Sequence, residues 1–429
     1  MTGWRPTAAL TRALLVAGTG VALAVLAGEP LLMVLVAPFV LLGALGLVHR
    51  PSSTPRVTSR LDHRSLNEGQ GTTSRLVLDD VADVEQVTRV AAAAPYLALH
   101  PRDGRAARLL EDGAPELEVS PRRWGRRMLG EEKVGLHSAW AGYRWGPVTL
   151  GGQEMRVLPL TAPFDSRAEA PQPLGLVGAH RSRRVGSGAE FAGIRPFQPG
   201  DRLRRINWRV SLRTDTLQVQ TARAEEDTGV LLVVDALADH GRSGGTDGSA
   251  SSLDLTVRAA AAIAEHHARG GDRVALRVVG AAGEQVGYGS GRRHLRRLLG
   301  TMAALRVGEP WIDESETLQF GATGGTVVVV LSPMLAESIG TATAALVRRG
   351  LPVLVIDTLP PDTGPAVADG TDPVLADLAW RMRKVEREQV LGRLAVLGCP
   401  VVAWRGPGTM DDVLRRLARR AQLPQVRVR

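Results

Sequence analysis

Cysteine is nearly absent from this 429-residue chain, and the single thiol, Cys399, excludes an intrachain disulfide and any multi-cysteine metal site. Cys399 opens the apolar run "CPVVAW", which reads as a strand, and no histidine or other base accompanies it in sequence. It is therefore read as a small core thiol and not as a nucleophile. Three other motifs are missing: a G-x-S-x-G elbow, a P-loop, and a G-x-G-x-x-G following a strand. Their absence argues against a serine hydrolase of the elbow type and against nucleotide hydrolysis by this chain.

What is present suits a folded protein of more than one unit. Hydrophobic residues make up 44% of the chain, and at roughly 150 residues per domain two or three units are expected. The formal charge of +9 comes mostly from arginine and suits nucleic acid, an anionic membrane surface or an acidic protein partner.

The amino-terminal segment, residues 1–50, reads as a membrane hairpin. Ala13 to Ala27 and Leu31 to Val48 are uncharged apolar runs separated by "GEP", each near the lower limit of the roughly 17 to 25 residues that span a bilayer. Arg5 and Arg12 precede the first run and Arg50, Arg56, Arg60 and Arg64 follow the second, whereas the turn carries only Glu29. The positive-inside rule then puts both ends, and the domains that follow, in the cytoplasm of a two-pass cell-membrane protein. The rival reading is a signal peptide, with a basic start, an apolar middle and small residues near Ala22 to Ala24. The basic cluster after Val48 resists translocation, and the near-absence of cysteine asks for no oxidising compartment; both favour the hairpin.

Residues 51–166 begin with a Pro/Ser/Thr/Arg-rich linker and continue in short alternating pieces such as "TSRLVLDDV", "ELEVS" and "QEMRVLPL". This pattern predicts a small antiparallel β-sandwich, with "GYRWGPVTL" as a strand-turn-strand element. Residues 167–228 are read as a connector, including the basic stretch "HRSRRVGSG", followed by the motif "EFAGIRPFQPGDRLRRINWRVSLRTDTLQVQ" at Glu190 to Gln220. From residue 229 to 429, apolar strands alternate with helices, beginning with "TGVLLVVDA". That alternation predicts a doubly wound parallel sheet, and ligands of such folds sit at the carboxyl ends of the strands, here Asp235, Ser332 and Asp357.

In the motif, the Pro199-Gly200-Asp201 step turns the chain back toward Ile206-Asn207-Trp208, where Trp208 is expected to bury its ring. Arg205 and Arg213 suit bidentate pairing with Glu190, Asp201 or Glu225, an internal brace as well supported as a ligand site. Arg202, Arg204 and Arg209 have fewer candidate partners within the chain and are expected to form an exposed basic surface. No nucleic-acid recognition motif accompanies them, so an acidic protein groove or lipid headgroups fit better than nucleic acid. The pair His266-His267 is read as a solvated helix end, since adjacent helical positions do not share a face.

A membrane hairpin, a β region, and an α/β domain opening on a strand that ends in Asp, preceded by the joint spacing of Glu190, Arg195, Pro199, Gly200, Asp201, Arg205, Trp208, Ser211 and Arg213, resemble the bacterial family called domain of unknown function 58, over nearly the whole chain. The resemblance implies a membrane protein whose carboxyl-terminal domain is similar to a von Willebrand factor A domain. It also implies a MoxR-type AAA+ ATPase as partner, often with a transglutaminase-like membrane protein nearby, and a role in assembly more than in catalysis. Two departures stand out: Asn207-Trp208 replaces the family's usual Asp-Trp, and Ser211-Leu212-Arg213 its Ser-Ala-Arg. The A-type metal motif Asp-Xaa-Ser-Xaa-Ser reads Asp235-Ala236-Leu237-Ala238-Asp239 here, so only the first ligand is in place for Mg²⁺, with Asp239, Asp247 or the serines of "SGGTDGSASS" as substitutes. The leading expectation is thus a membrane-anchored, non-enzymatic adaptor, and its alternative a metal-dependent binder or enzyme using Asp235.

Overall fold

The computed structural model describes residues 3–160, 181–198, 203, 206–225, 229–280, 284–308, 326–365, 370–405 and 409, with the backbone alone at 181–192 and 221–225. Two compact units emerge, Met1–Leu158 with Gly245–Asp247, and Pro159–Gly244 with Gly248–Arg429.

The first unit opens with a short strand β1 (Trp4–Pro6), then helices α1 (Ala8–Ala27) and α2 (Pro30–Val48). Thr7 caps α1 by accepting a hydrogen bond from the N–H of Leu10, and Gly28 ends it at φ 63°, a left-handed conformation that glycine adopts without cost. Pro30 starts α2 at its first turn, where its missing N–H is no loss. Both helices are long and apolar enough to cross a membrane. Their facing sides carry small residues: Ala13, Ala17 and Ala24 on α1 are buried, as are Gly43 and Gly46 on α2. A Cβ at Gly43 would lie 2.7 Å from Leu14 Cδ2 and one at Gly46 2.5 Å from Leu10 Cδ1, so the close approach of the two helices depends on these glycines.

Eleven strands follow: β2 (Arg56–Leu61), β3 (Ser65–Asn67), β4 (Thr72–Asp79), β5 (Gln86–Ala91), β6 (Leu97–His100), β7 (Arg105–Leu109), β8 (Leu117–Pro121), β9 (Gly125–Leu129), β10 (Glu132–His137), β11 (Tyr143–Leu150) and β12 (Gln153–Leu158). They form antiparallel sheets in the orders β1-β11-β10-β5-β7 and β2-β4-β8-β6, and a small sheet β3-β12-β9 in which β3 pairs parallel. Val57 and Leu76 from the four-stranded sheet meet Val87, Val134, Leu136 and Trp145 from the five-stranded one, which makes the expected two-layer core. "GYRWGPVTL" differs from the expected strand-turn-strand: it is the one strand β11, and Gly146 at φ 85° bends it while the register against β10 shifts between Val134 and Leu136.

Within this apolar core sits an ion pair. Arg89 of β5 is 0% exposed and donates to Glu132 Oε2 of β10 from Nε at 3.0 Å and Nη2 at 2.7 Å. Nη1 donates to the Ser74 carbonyl at 2.6 Å and Nη2 to the Ser74 hydroxyl, both on β4, while Glu132 Oε1 accepts from the Ser59 hydroxyl of β2 at 3.2 Å. Burial lowers the guanidinium pKa, and the Glu132 charge and hydrogen bond oppose that shift. The alternation of "QVTRVA" places Val87, Arg89 and Ala91 on one face, so the inward arginine follows from strand period alone. Arg89→Ala leaves a buried carboxylate without its cation and is expected to cost about 3 to 5 kcal/mol, whereas Arg89→Met/Glu132→Leu recovers most of that. Chemical denaturation of the full chain in detergent, followed by near-UV circular dichroism, measures both.

The second unit begins with β13 (Arg181–Pro196), α3 (Trp208–Thr214) and β14 (Gln218–Glu225). β13 pairs antiparallel with β14, so "HRSRRVGSG" contributes from Arg181 onward to a long strand and not to a flexible connector. Next come β15 (Gly229–Asp235), α4 (Ser252–Arg269), β16 (Arg273–Val279), β17 (Gln285–Gly289), α5 (Gly291–Met302), β18 (Val327–Ser332), α6 (Glu337–Arg348), β19 (Val353–Asp357), α7 (Pro373–Val396) and β20 (Val401–Ala403).

These strands form one sheet, β17-β16-β15-β18-β19-β20, parallel throughout except for the antiparallel edge strand β17. All seven residues of β15 are buried. Leu231 and Val233 pack toward Ile339 and Leu346 of α6 and Leu394 of α7, and α4 contacts β15, β16 and β18 through an alanine-rich buried face. Cys399 is buried in that core, as its sequence context predicts. The strand–helix alternation calls for a final helix from about Asp411 to Ala421, and those residues lie outside the described ones. The histidine pair departs from the reading as a solvated helix end: His267 is buried, and its Nδ1 lies 2.9 Å from Asp272 Oδ2. Burial and the neighbouring His267 lower the pKa of His266.

Candidate functional site

Two places in the second unit carry the polar and exposed residues that the sequence singles out. The first is the carboxyl end of the parallel sheet. Because β15 and β18 run side by side in register, Asp235 and Ser332 end adjacent strands, and Ser332 Oγ donates to Asp235 Oδ2 at 2.6 Å. The other carboxylate oxygen, Oδ1, accepts from the N–H of Leu237 at 3.1 Å. Ser332 Oγ in turn accepts from the N–H of Met334 at 2.8 Å, so Ser332 fastens Asp235 and its own following turn at once. Neighbouring Asp357 pairs with Arg387 of α7, and Arg387 Nε donates to the Pro333 carbonyl at 2.7 Å. Sequence reasoning missed Arg387, although it lies seven residues after buried Trp380 and therefore on the same helical face.

This donor set does not fit a hard divalent cation. Both oxygens of Asp235 are engaged by protein donors, Ala236, Leu237 and Ala238 supply no side-chain oxygen, and Asp239 Oδ1 accepts from the N–H of Leu253 at 3.1 Å. Among the described residues, no group of three or more His, Cys, Asp or Glu side chains is placed to hold a metal. Near-octahedral Mg²⁺ ligation needs several oxygens that converge on one point. Added Mg²⁺ is therefore expected to leave the melting temperature of the full chain unchanged, a thermal-shift measurement.

Burial pushes the Asp235 carboxyl up to about 6, against the lowering effect of the Ser332 and Leu237 hydrogen bonds. An unfolded carboxyl titrates near 3.8, so folding takes up a proton between these values. The stability contributed by this group is full below about pH 4 and is lost as pH rises through about 6, a change of about 3 kcal/mol. Asp235→Asn is expected to remove that component, so that denaturation midpoints measured from about pH 4 to pH 7 fall less steeply in the variant than in the wild type.

The second place is the β13–α3–β14 ribbon. Arg195 pairs with Val219 and Pro196 with Gln218, and Phe197 donates from its N–H to the Leu217 carbonyl at 2.8 Å. Asn207 caps α3 by accepting from the N–H of Val210 at 3.2 Å, which explains why asparagine serves where the resembled family usually has aspartate: both are strong N-caps. Ser211 is buried, accepts from the N–H of Gln218 at 2.8 Å and donates to the Asn207 carbonyl at 2.8 Å, tying α3 to β14.

Trp208 corrects an expectation. It is 62% exposed at the first position of α3, because the inward positions of this short helix are taken by Ser211 and its bonds to the strand. Leu212, one turn later on the same side, is 85% exposed. Arg209 and Arg213 are also exposed on α3, and Arg195 Nη1 donates to the Pro196 carbonyl at 3.0 Å. Pro199, Gly200, Asp201, Arg202, Arg204 and Arg205 lie outside the described residues, as do the side chains of Glu190 and Glu225, so the expected arginine brace falls outside them too.

The chain is 28% identical over 270 residues to uncharacterized proteins of Mycobacterium tuberculosis (strain H37Rv) and Mycobacterium bovis, an alignment that covers 57% of this chain and 84% of each relative. A family match begins in β13, runs through α3 and the strand-end residues Asp235, Ser332 and Asp357, and stops ahead of α7, a narrower extent than the nearly whole-chain resemblance. Residues 193–370 of this chain match the family described as "Protein of unknown function DUF58".

Proposed function

We propose that this protein is a membrane-anchored, non-enzymatic adaptor that docks a partner in the cytoplasm through α3 of the motif ribbon. The observation that carries this reading is the exposed pair Trp208 and Leu212, set beside Arg209 and Arg213 on a helix held firmly by Asn207 and Ser211. A large aromatic in water is costly unless something covers it, and tryptophan, leucine and arginine together suit an apolar pocket with an acidic rim. The hairpin supplies the anchor, and the arginines at both of its ends, against one glutamate in its turn, support a cytoplasmic orientation.

The partner most in keeping with the resemblance is a MoxR-type AAA+ ATPase, with the α/β domain acting in the manner of a von Willebrand factor A domain whose metal site is no longer needed. A transglutaminase-like membrane protein is a further member of such an assembly. The closed hydrogen bonding of Asp235 supports docking without a bridging cation.

Trp208→Ala/Leu212→Ala tests the reading, since exposed positions alter stability by only about 0.5 kcal/mol each. The double variant is expected to melt with the wild type in detergent and to lose co-purification of the AAA+ ATPase from native membranes, and Arg209→Glu/Arg213→Glu to do the same. Retention of the ATPase by both variants overturns the role of α3.

A further inference from the structure

Helix α7 has two working faces, and the fold uses only one. Trp380, Arg387 and Leu394 recur every seven residues on its inner side: Trp380 and Leu394 are buried, and Arg387 pairs with Asp357. At 100° per residue, Leu375, Leu378, Met382 and Val385 point within about 60° of the direction opposite the mean of these three. All four are exposed, with Leu375 at 61% and Met382 at 59%. Their spacing of three, four and three residues is that of the first and fourth positions of a heptad, the seam of a two-stranded coiled coil. The next seam positions are Gln389, Gly392 and Val396, so the apolar part of the seam runs from Leu375 to Val385, with Val396, 89% exposed, as an outlying member.

The charges beside this seam identify its occupant. With Leu375 and Met382 as first positions, Arg381 and Glu388 fall at the seventh, and Glu386 and Arg393 at the fifth. In a parallel pair, a seventh-position side chain reaches the fifth-position side chain of the other helix five residues further along. Arg381 then meets Glu386 of a second copy, and Glu388 meets Arg393, and the two-fold symmetry makes each contact twice. All four charged residues are exposed, and Arg381 holds only an exposed pair one turn back, with Asp377, at 3.1 Å. An antiparallel pair would match like positions, Arg381 with Glu388 or Glu386 with Arg393, and no one register makes both, because the register that joins Arg381 to Glu388 sets Glu386 against Ala379; only the parallel pair uses all four charges at once.

We infer that α7 is the dimerisation element of this protein and pairs in parallel, in register, with α7 of a second copy. The seam is short, so the free helix would associate weakly. Anchoring in one bilayer confines the copies and raises their effective concentration, which suits a dimer that forms in the membrane. This inference concerns a different surface from α3 and does not depend on which partner α3 binds.

The test uses the full chain reconstituted in lipid vesicles. In a parallel, in-register pair Leu378 faces Leu378, so Leu378→Cys is expected to give a covalent dimer on mild oxidation, while Asp377→Cys, off the seam, and the wild-type chain, whose Cys399 is buried, give none. In the same vesicles, single-molecule photobleaching is expected to show about tenfold weaker dimerisation for Arg381→Glu, which sets two like-charge pairs in place of two opposite ones. Arg381→Glu/Glu386→Arg is expected to restore it. A monomer at all protein densities, a dimer indifferent to Arg381→Glu, or cross-linking of mixed Leu375→Cys and Val385→Cys chains without any Leu378→Cys dimer overturns the proposal.

Discussion

The second unit depends on one constraint: β15 is buried along its whole length, so both faces of the sheet must be covered. Its odd-numbered side chains go to α6 and α7 and α4 covers the other face, which fixes which side of each helix turns inward. The strand must also end somewhere, and it ends on a carboxylate in the same dry surroundings. Asp235 is tolerated there because Ser332 on the next parallel strand and the N–H of Leu237 satisfy it. At the strand ends, where sheets of this architecture receive ligands, both oxygens of Asp235 are held by donors of the chain itself.

The first unit solves a related problem differently. Its two sheets bury a guanidinium and a carboxylate between them, and the hydrogen bonds of that pair reach β2, β4, β5 and β10. An apolar pair of similar volume would fill the same space without this directionality. Each bond of Arg89 fixes where one strand lies along another, which an apolar core specifies less tightly.

The surfaces left over after these demands are met carry the functional reading. α3 is fastened to β14 by Ser211, and the bond that fastens it turns Trp208 and Leu212 outward. α7 satisfies the sheet with Trp380, Arg387 and Leu394 and has a second apolar stripe that the fold does not use. Contiguous exposed apolar stripes on well-packed helices mark surfaces that another molecule covers.

The sequence by itself determined the hairpin, through two uncharged runs and a breaker between them, and the alternating strands and helices of the second unit, through local periodicity. It also held the cap at Asn207, the inward arginine of "QVTRVA" and the seven-residue recurrence of α7, all short-range patterns. Tertiary structure alone decided the rest. Trp208 reads as a core residue until Ser211 claims the inner face, and Asp235, the first position of a motif otherwise lost, has no partner in sequence until the register of β15 and β18 brings Ser332 to it. "GYRWGPVTL" reads as two strands until β10 pairs with it on both sides of Gly146-Pro147. In each case the deciding contact joins residues on different elements, and periodicity along one element carries no information about what stands opposite.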